Sequence, residues 1–115
     1  MTPPTGPEED RAADRAEDEA ALIAAARRGG REAFGHLVRR YERFVFHVAG
    51  GFLRERGEIE DIAQDAFLRA FRAIPRFRPE RRFYTWFYQI VLHLSIDCLR
   101  KRRGARNDGD EATEV

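Results

Sequence analysis

Aromatic rings and guanidinium groups crowd together in one short part of the chain. Residues 83–88 read FYTWFY, with five aromatic side chains in six positions, and the preceding residues 75–82 read PRFRPERR. Arginines bind phosphates and exposed rings stack on unpaired bases, so this combination is typical of proteins that recognise single-stranded nucleic acid. A helix cannot turn all five rings towards one core, which leaves some of them for the surface.

Packing inside the protein is the alternative use of the same rings. Phe83 and Phe87 begin the apolar side of the predicted last helix, and for these two residues we favour packing. For Tyr84, Trp86 and Tyr88 the sequence leaves both uses open.

Catalytic and metal-binding patterns are missing from the sequence. It contains neither a Ser-His-Asp order nor the glycine patterns of nucleotide-binding loops. One cysteine excludes an intramolecular disulfide, and Cys98 with three scattered histidines lacks the spacing of a zinc site. We therefore expect no enzyme activity, no metal and no cofactor, and we expect Cys98 to be an inert buried thiol.

The net charge of +1 hides three unequal blocks. Residues 1–21 hold seven acids and two bases, residues 108–115 hold four acids, and residues 22–107 hold 19 bases and nine acids. A basic domain between acidic ends points to a polyanionic partner, with nucleic acid first and a membrane surface second. A charged surface that serves only solubility is the alternative.

Length and hydropathy limit the remaining possibilities. A chain of 115 residues with 43% hydrophobic residues suits one small domain with a packed core. The longest apolar stretch, residues 44–53, is interrupted by His47 and is too short to cross a bilayer. The acidic N-terminus lacks the layout of a signal peptide. We therefore expect a cytoplasmic protein that does not bind a membrane.

Apolar residues at three- and four-residue steps predict an all-α fold, a compact bundle of three long helices plus a short N-terminal helix. The predicted helices span residues 17–28, 31–53, 58–74 and 83–103. The proline-containing loop 75–82 separates the last two helices. The helical domain is expected to cover residues 17–103, with a disordered acidic tail at 1–16 and a flexible acidic linker at 104–115.

Two outward faces are left over once the core is assigned. One face of the third helix carries four polar side chains and one leucine, namely Asp61, Gln64, Asp65, Leu68 and Arg72. This face is either a solvated surface or a docking surface for another helix pair. The outer side of the fourth helix carries Thr85, Gln89, His93, Ile96 and Arg100, between two arginine-rich clusters.

The order of these pieces resembles the region 2 domain of bacterial sigma factors of the extracytoplasmic-function group, over residues 19–103. Three segments carry the resemblance: ALIAAARRGGREAFGHLVRRYERFVFHVA (21–49), EDIAQDAFLRAFRAIPRF (60–77) and FYTWFYQIVLHLSIDCLRKRR (83–103). In this family the domain joins the RNA polymerase core and reads the −10 promoter element. The resemblance thus implies a role in transcription initiation, and it suggests an anti-sigma factor as a further partner.

The resemblance also implies a role for each outward face. The third-helix set of Asp61, Gln64, Asp65, Leu68 and Arg72 would dock on the coiled coil of the polymerase beta-prime subunit. The loop would hold a base flipped out of the non-template strand of the −10 element. The implied loop residues are Arg76, Phe77, Arg78, Arg81 and Arg82, with Phe83 and Tyr84 bordering them.

The rest of the implied DNA-binding surface follows the fourth helix. Trp86 and Gln89 would lie at the upstream edge of the melted DNA, and Arg100, Lys101 and Arg102 would meet duplex phosphates. The chain departs from the family pattern at Val91 and His93, where an alanine and then an asparagine are usual. Because the asparagine position lies at the junction of duplex and single strand, His93 is expected to change promoter preference or melting.

Two other functions remain open on the residues alone. A helical interaction module, for instance an adaptor, would use the basic surface only for solubility. A duplex-binding helix-turn-helix domain is disfavoured because residues 75–82 form a longer loop than the tight turn of that motif.

Overall fold

The chain forms four α-helices that pack around one apolar core. The computed structural model describes the backbone of residues 7–114 and the side chains of residues 17–104. The helices are α1 (Pro7–Arg27), α2 (Arg31–Gly50), α3 (Arg56–Ala73) and α4 (Phe83–Glu114), and a short 3-10 helix (Ile74–Arg76) follows α3. Within residues 7–114 there are helices and turns and no strand, which confirms the predicted all-α fold.

The outer helices are longer than the sequence predicts. Helix α1 begins at Pro7 rather than at residue 17, and α4 ends at Glu114 rather than at residue 103. In α1, proline is well tolerated at the first helical position, and alanine and glutamate are good helix formers even where no large apolar side chain is present. The added part of α4 contains two glycines, one asparagine and two aspartates, which are poor helix formers, so helix propensity does not explain its length. The tail and linker assignments stay predictions, because residues 1–6 and 115 and the side chains of 1–16 and 105–115 lie outside the described residues.

Two glycines end α1 and turn the chain into α2. Gly29 has φ 92°, a left-handed conformation that glycine adopts without steric cost. The amide of Gly29 donates to the carbonyl of Ala26, and the amide of Gly30 donates to the carbonyl of Ala25, which is the Schellman pattern of a helix end. A Cβ atom on Gly30 would lie 2.8 Å from the Ala25 carbonyl oxygen, so the turn needs glycine there.

The core is built from one face of each long helix. Helix α3 contributes mainly small side chains, which allow its neighbours to approach closely, and α2 and α4 contribute larger ones. The buried hydrophobic positions of these helices are Phe34, Leu37, Val45 and Ala49 on α2, Ile62, Ala63, Ala66 and Ala70 on α3, and Phe83, Phe87, Val91 and Leu94 on α4. The predicted inward faces of the three long helices are therefore the observed ones. Ser95 is buried as well, and its hydroxyl donates to the carbonyl of Val91 at 2.8 Å.

Polar contacts attach α1 to α2. The Tyr41 hydroxyl donates a hydrogen bond to the Glu19 carboxylate, and Asp18 lies 4.0 Å from the Arg40 guanidinium. Burial, reinforced by the bond to Glu19, raises the pKa of Tyr41 well above its ordinary value, so the hydroxyl keeps its proton. These contacts hold α1 beside the loop that connects α3 and α4.

Candidate nucleic-acid interface

The loop between α3 and α4 is held by buried side chains and backbone hydrogen bonds. Ile74 and Phe77 are buried, and the Phe77 amide donates to the Ile74 carbonyl. The Arg81 amide donates to the Arg78 carbonyl, which closes a turn with a proline at its second position, as proline prefers. The four arginines of the loop are all exposed: Arg76, Arg78, Arg81 and Arg82.

An open concave site lies where this loop enters α4. It has a volume of about 390 Å³ and is lined by Arg81, Arg82, Thr85, Trp86 and Gln89. We call these five residues the loop cleft. The loop cleft is thus surrounded by two guanidinium groups, one indole ring and two neutral polar side chains. Such a space suits a ligand with two parts, a flat ring that carries hydrogen-bond acceptors and a phosphate group.

The indole of Trp86 is a wall of the loop cleft that the core supports from behind. Trp86 is partly exposed, and its ring centroid lies 5.0 Å from that of Phe77 and 5.5 Å from that of Phe83. Rings packed in this way restrain the indole, so its free surface is presented in a fixed orientation.

Phe77 and Phe83 do not contribute exposed surface to this site. Their side chains are only 3% and 7% exposed, so neither can stack on a base without unpacking the core. The resemblance placed both beside a flipped base, and the structure corrects that to a supporting position behind Trp86. Phe83 lies one helical turn before the buried Phe87, and the two rings are stacked, which explains the burial.

Tyr84 is exposed but belongs to a different surface. Its side chain is 51% exposed, and its ring lies 4.7 Å from Phe44 and 6.5 Å from Tyr88. It does not line the loop cleft. Thr85 does line the loop cleft, whereas the sequence predicts only that it lies on the outer side of α4. Its spacing of four residues from Gln89 is the signal that would have placed it in the same site as Gln89.

The outer side of α4 leads from the loop cleft towards the basic segment 100–103 in the middle of the helix. Gln89, His93 and Arg100 are exposed there, and the 1.5 Å rise per residue separates Gln89 from Arg100 by about 16 Å. Lys101 is exposed as well, but it lines a groove between α3 and α4 together with Asp61, Asp65 and Asp97, so it does not share the outer side. Arg102 differs from its neighbours. Its guanidinium lies 3.0 Å from Glu58 and 3.6 Å from Glu55, so a phosphate would have to compete with two carboxylates for it.

The outward face of α3 has the predicted exposure. Asp61, Gln64, Asp65, Leu68 and Arg72 are all exposed, opposite the buried side of the helix, and we call these five residues the α3 ridge. Leu68 is 46% exposed. It is one of three large apolar side chains that are exposed among the described residues. A polar ridge around an exposed leucine is suited to contact with another protein.

Cys98, which was expected to be an inert buried thiol, is only partly buried. Its sulfur lies 3.8 Å from the Glu58 carboxylate. Burial, followed by the effect of Glu58, raises the pKa of the thiol, so the unreactive protonated form is favoured. Among residues 17–104 no cluster of three or more histidine, cysteine or acidic side chains could hold a metal ion. No helix within the described part of the chain could span a membrane.

Comparison with known proteins places this geometry in a family. Residues 37–105 match the family Sigma-70 region 2. The chain is 33% identical over 98 residues to RNA polymerase sigma-H factor of Pseudomonas aeruginosa, covering 85% of this chain and 51% of that protein. It is 37% identical over 81 residues to the ECF RNA polymerase sigma factor SigW of Bacillus subtilis, covering 70% of this chain and 43% of that protein. The chain therefore spans about half the length of the curated relatives it matches.

Two solved structures share the arrangement of helices. The first is an engineered region 2 of sigmaE in complex with GTAAAA, with a TM-score of 0.70, 31% identity, and coverage of 76% of this chain and 90% of that one. The second is CnrH in complex with the cytosolic domain of CnrY, with a TM-score of 0.68, 34% identity, and coverage of 79% and 59%. Sequence and structure agree, and the chain belongs to the sigma-70 region 2 family, in its extracytoplasmic-function group.

Proposed function

We propose that this chain binds the RNA polymerase core and reads the −10 element of promoter DNA as part of an alternative sigma factor acting in the cytoplasm. The observation that carries the proposal is the loop cleft, where a restrained indole and two exposed arginines surround a space open to solvent. The role is one of binding, and it requires no bond to be made or broken. The complex of the related sigmaE region 2 with GTAAAA supports this assignment.

The loop cleft selects sequence because opening a duplex has a cost. Unstacking and extruding one base costs a few kcal/mol, and phosphate contacts cannot recover that cost selectively because they are the same for every sequence. A base that fits between Trp86 and the Arg82 guanidinium recovers it, and a base that does not fit leaves the duplex closed. Arg81 and Arg82 also hold the strand near the cleft through its phosphates.

The outer side of α4 receives the DNA upstream of the opened base. Arg100 is exposed on this side and contacts phosphates of the duplex that remains closed. Lys101, which the resemblance pairs with it, lines the groove between α3 and α4 beside Asp61 and Asp65, so these carboxylates compete with a phosphate for it. His93 lies between Arg100 and Gln89, at the junction where the duplex gives way to single strand. Its imidazole replaces the amide that is usual in the family, so this position is one source of a promoter preference particular to this chain.

A comparison of single-stranded and duplex DNA tests the proposal. We select DNA from a single-stranded library with eight randomised positions, using the full chain, and then measure affinity for the enriched octamer as single strand and as duplex. We expect tighter binding to the single strand, with log affinity falling against log salt by about 0.7 for each phosphate contacted. Preference for the duplex would favour a helix-turn-helix type of function, and absence of enrichment would favour an adaptor.

The α3 ridge is the proposed docking surface for the polymerase, on the coiled coil of its beta-prime subunit. Its exposed leucine offers the apolar anchor, and Asp61, Gln64 and Asp65 surround it with groups that pair with polar and basic side chains. CnrH, which is similar in structure, is in complex with the cytosolic domain of CnrY. We propose that this chain also has a protein partner of the anti-sigma type.

Leu68→Asp is expected to weaken binding to polymerase core about tenfold or more while the domain stays folded, because it places a charge at the centre of a desolvated contact. The measurement is retention of core enzyme on the immobilised chain, with helicity checked by circular dichroism. Phe46→Asp is the matched control, since Phe46 is a similarly exposed apolar residue, on α2. Equal losses for the two variants would contradict an interface centred on the α3 ridge.

A further inference from the structure

The basic segment 100–103 of α4 lies beside the start of α3, which is acidic. The Arg102 guanidinium contacts two carboxylates there, with its Nη1 3.0 Å from Glu58 Oε1 and its Nη2 3.6 Å from Glu55 Oε2. Glu55 directly precedes α3 and Glu58 lies in its first turn, where the helix dipole favours negative charge. Both positions therefore favour a charged carboxylate before any contact with α4 is made.

Glu58 holds Arg102 more strongly than an exposed ion pair would. The Glu58 side chain is only 22% exposed, and its Oε1 is buried and accepts no hydrogen bond from the described residues. The Arg102 guanidinium lies against this oxygen and compensates its charge. A phosphate that drew Arg102 away would leave a buried carboxylate oxygen without that compensation, which is less favourable than separating two solvated ions.

Lys101 lies in similarly acidic surroundings. It lines the groove of about 330 Å³ between α3 and α4, to which four acidic residues contribute, namely Glu58, Asp61, Asp65 and Asp97. Arg100 differs from both neighbours, because it is exposed on the outer side of α4 and forms no ion pair within residues 17–104. Of the three basic residues that the resemblance assigns to duplex phosphates, two thus face carboxylates of the protein itself.

We propose that Glu55 and Glu58 are specificity-determining residues, which keep Arg102 from duplex phosphates and thereby raise the preference of the chain for an opened strand. This inference rests on the proposed function, because it names a source of that preference. Phosphate contacts are the same for every sequence, so a basic residue released on α4 would strengthen binding to any closed duplex. With Arg102 held by carboxylates, the loop cleft, which needs an opened base, contributes a larger share of the binding.

The same ion pairs join α3 to α4, so a purely structural role is the alternative. Replacing the two carboxylates by amides keeps the size of the side chains and removes their charge. A structural role predicts a lower midpoint of thermal unfolding and no gain in DNA binding. A role in specificity predicts a gain in affinity for duplex DNA, which a loosened fold does not produce.

The double variant Glu55→Gln and Glu58→Gln tests the inference in the full chain. We expect its affinity for a duplex of unrelated sequence to rise about three- to tenfold, since Arg102 becomes available to a phosphate. The slope of log affinity against log salt should become steeper by about 0.9, the value for one further contact to a duplex phosphate. Affinity for the enriched octamer as single strand should rise less, so the preference for the single strand falls.

The matched control is the double variant Glu32→Gln and Glu42→Gln. Both glutamates are exposed on α2, outside the groove between α3 and α4, and their replacement gives the same change in net charge. We expect a gain in duplex affinity of less than about twofold and an unchanged salt slope, because no basic residue is released. Equal gains in the two double variants would assign the effect to net charge and overturn the inference.

Arg102→Gln identifies the residue that is released. In the otherwise unaltered chain we expect this change to alter duplex affinity by less than about twofold, because the carboxylates already hold Arg102. Added to Glu55→Gln and Glu58→Gln, it is expected to cancel the gain in duplex affinity and the change in salt slope. A gain that survives the loss of Arg102 would overturn the inference.

The remaining outcomes separate this inference from the proposed function. Unchanged duplex affinity and salt slope in Glu55→Gln and Glu58→Gln, or equal gains for single strand and duplex, would overturn the role of the two glutamates. The proposed function would still stand if the unaltered chain prefers the enriched single strand. If the unaltered chain shows no such preference, the proposed function fails, and the inference fails with it.

Discussion

Phe87→Ala is expected to lower the free energy of unfolding by about 3–5 kcal/mol, the range measured when a buried phenylalanine is truncated. Phe87 is only 1% exposed, and its ring centroid lies 5.2 Å from Phe67, 5.7 Å from Tyr41 and 5.9 Å from Phe83. It thus joins α2, α3 and α4 at one point. Because domains of this size are stable by about 5–15 kcal/mol, the loss is a large part of the total.

The measurement is urea unfolding followed by circular dichroism, with Phe46→Ala as the matched control. Phe46 is 39% exposed, so the same truncation there is expected to lower the free energy of unfolding by clearly less, about 1 kcal/mol. Similar losses in the two variants would contradict the assignment of Phe87 to the centre of the core. Binding of single-stranded DNA at the loop cleft is expected to weaken as well in Phe87→Ala, because Phe87 supports Phe83 and Phe83 supports Trp86.

The helices and their buried faces could be predicted from the sequence because apolar side chains recur at the period of the helix. Periodicity places Ile62, Ala66 and Ala70 on one side of α3, so the opposite side of the helix must be the exposed one. The exposure of Leu68 among polar neighbours was predictable for that reason. What Leu68 contacts was not, since periodicity identifies an exposed face without identifying its partner.

The candidate site was predicted in part. Arg81, Arg82 and Trp86 are brought together as expected, because they are close along the chain and no distant contact is needed to join them. Arg76 and Arg78, which were expected at the same site, are exposed but do not line the loop cleft. The role of Phe77 was missed because its burial depends on the 3-10 turn after α3, and a single ring in a loop has no period to reveal its direction. The ion pairs of Arg102 were also missed, since Glu55 and Glu58 lie on another helix.

Replacing both Arg81 and Arg82 by glutamate is expected to weaken binding of the selected single strand by roughly 100-fold, the largest effect on function. Each arginine is exposed at the loop cleft, where a guanidinium contact to a base or phosphate contributes about 1–3 kcal/mol. Each glutamate also repels the strand. The slope of log affinity against log salt should become shallower by about 1.4, since two phosphate contacts are lost at about 0.7 each.

The double variant Arg43→Glu and Arg54→Glu distinguishes a specific site from a general attraction between charges. Arg43 and Arg54 are exposed, lie outside the loop cleft, and give the same change in net charge. We expect this control to lose at most a few-fold in affinity, because its arginines do not line the loop cleft and the attraction of exposed charges that do not contact the strand is weakened by salt. Equal losses in the two double variants would mean that total charge alone attracts DNA. A loss confined to Arg81 and Arg82 would mean that the strand is held at the loop, where Trp86 can receive a base.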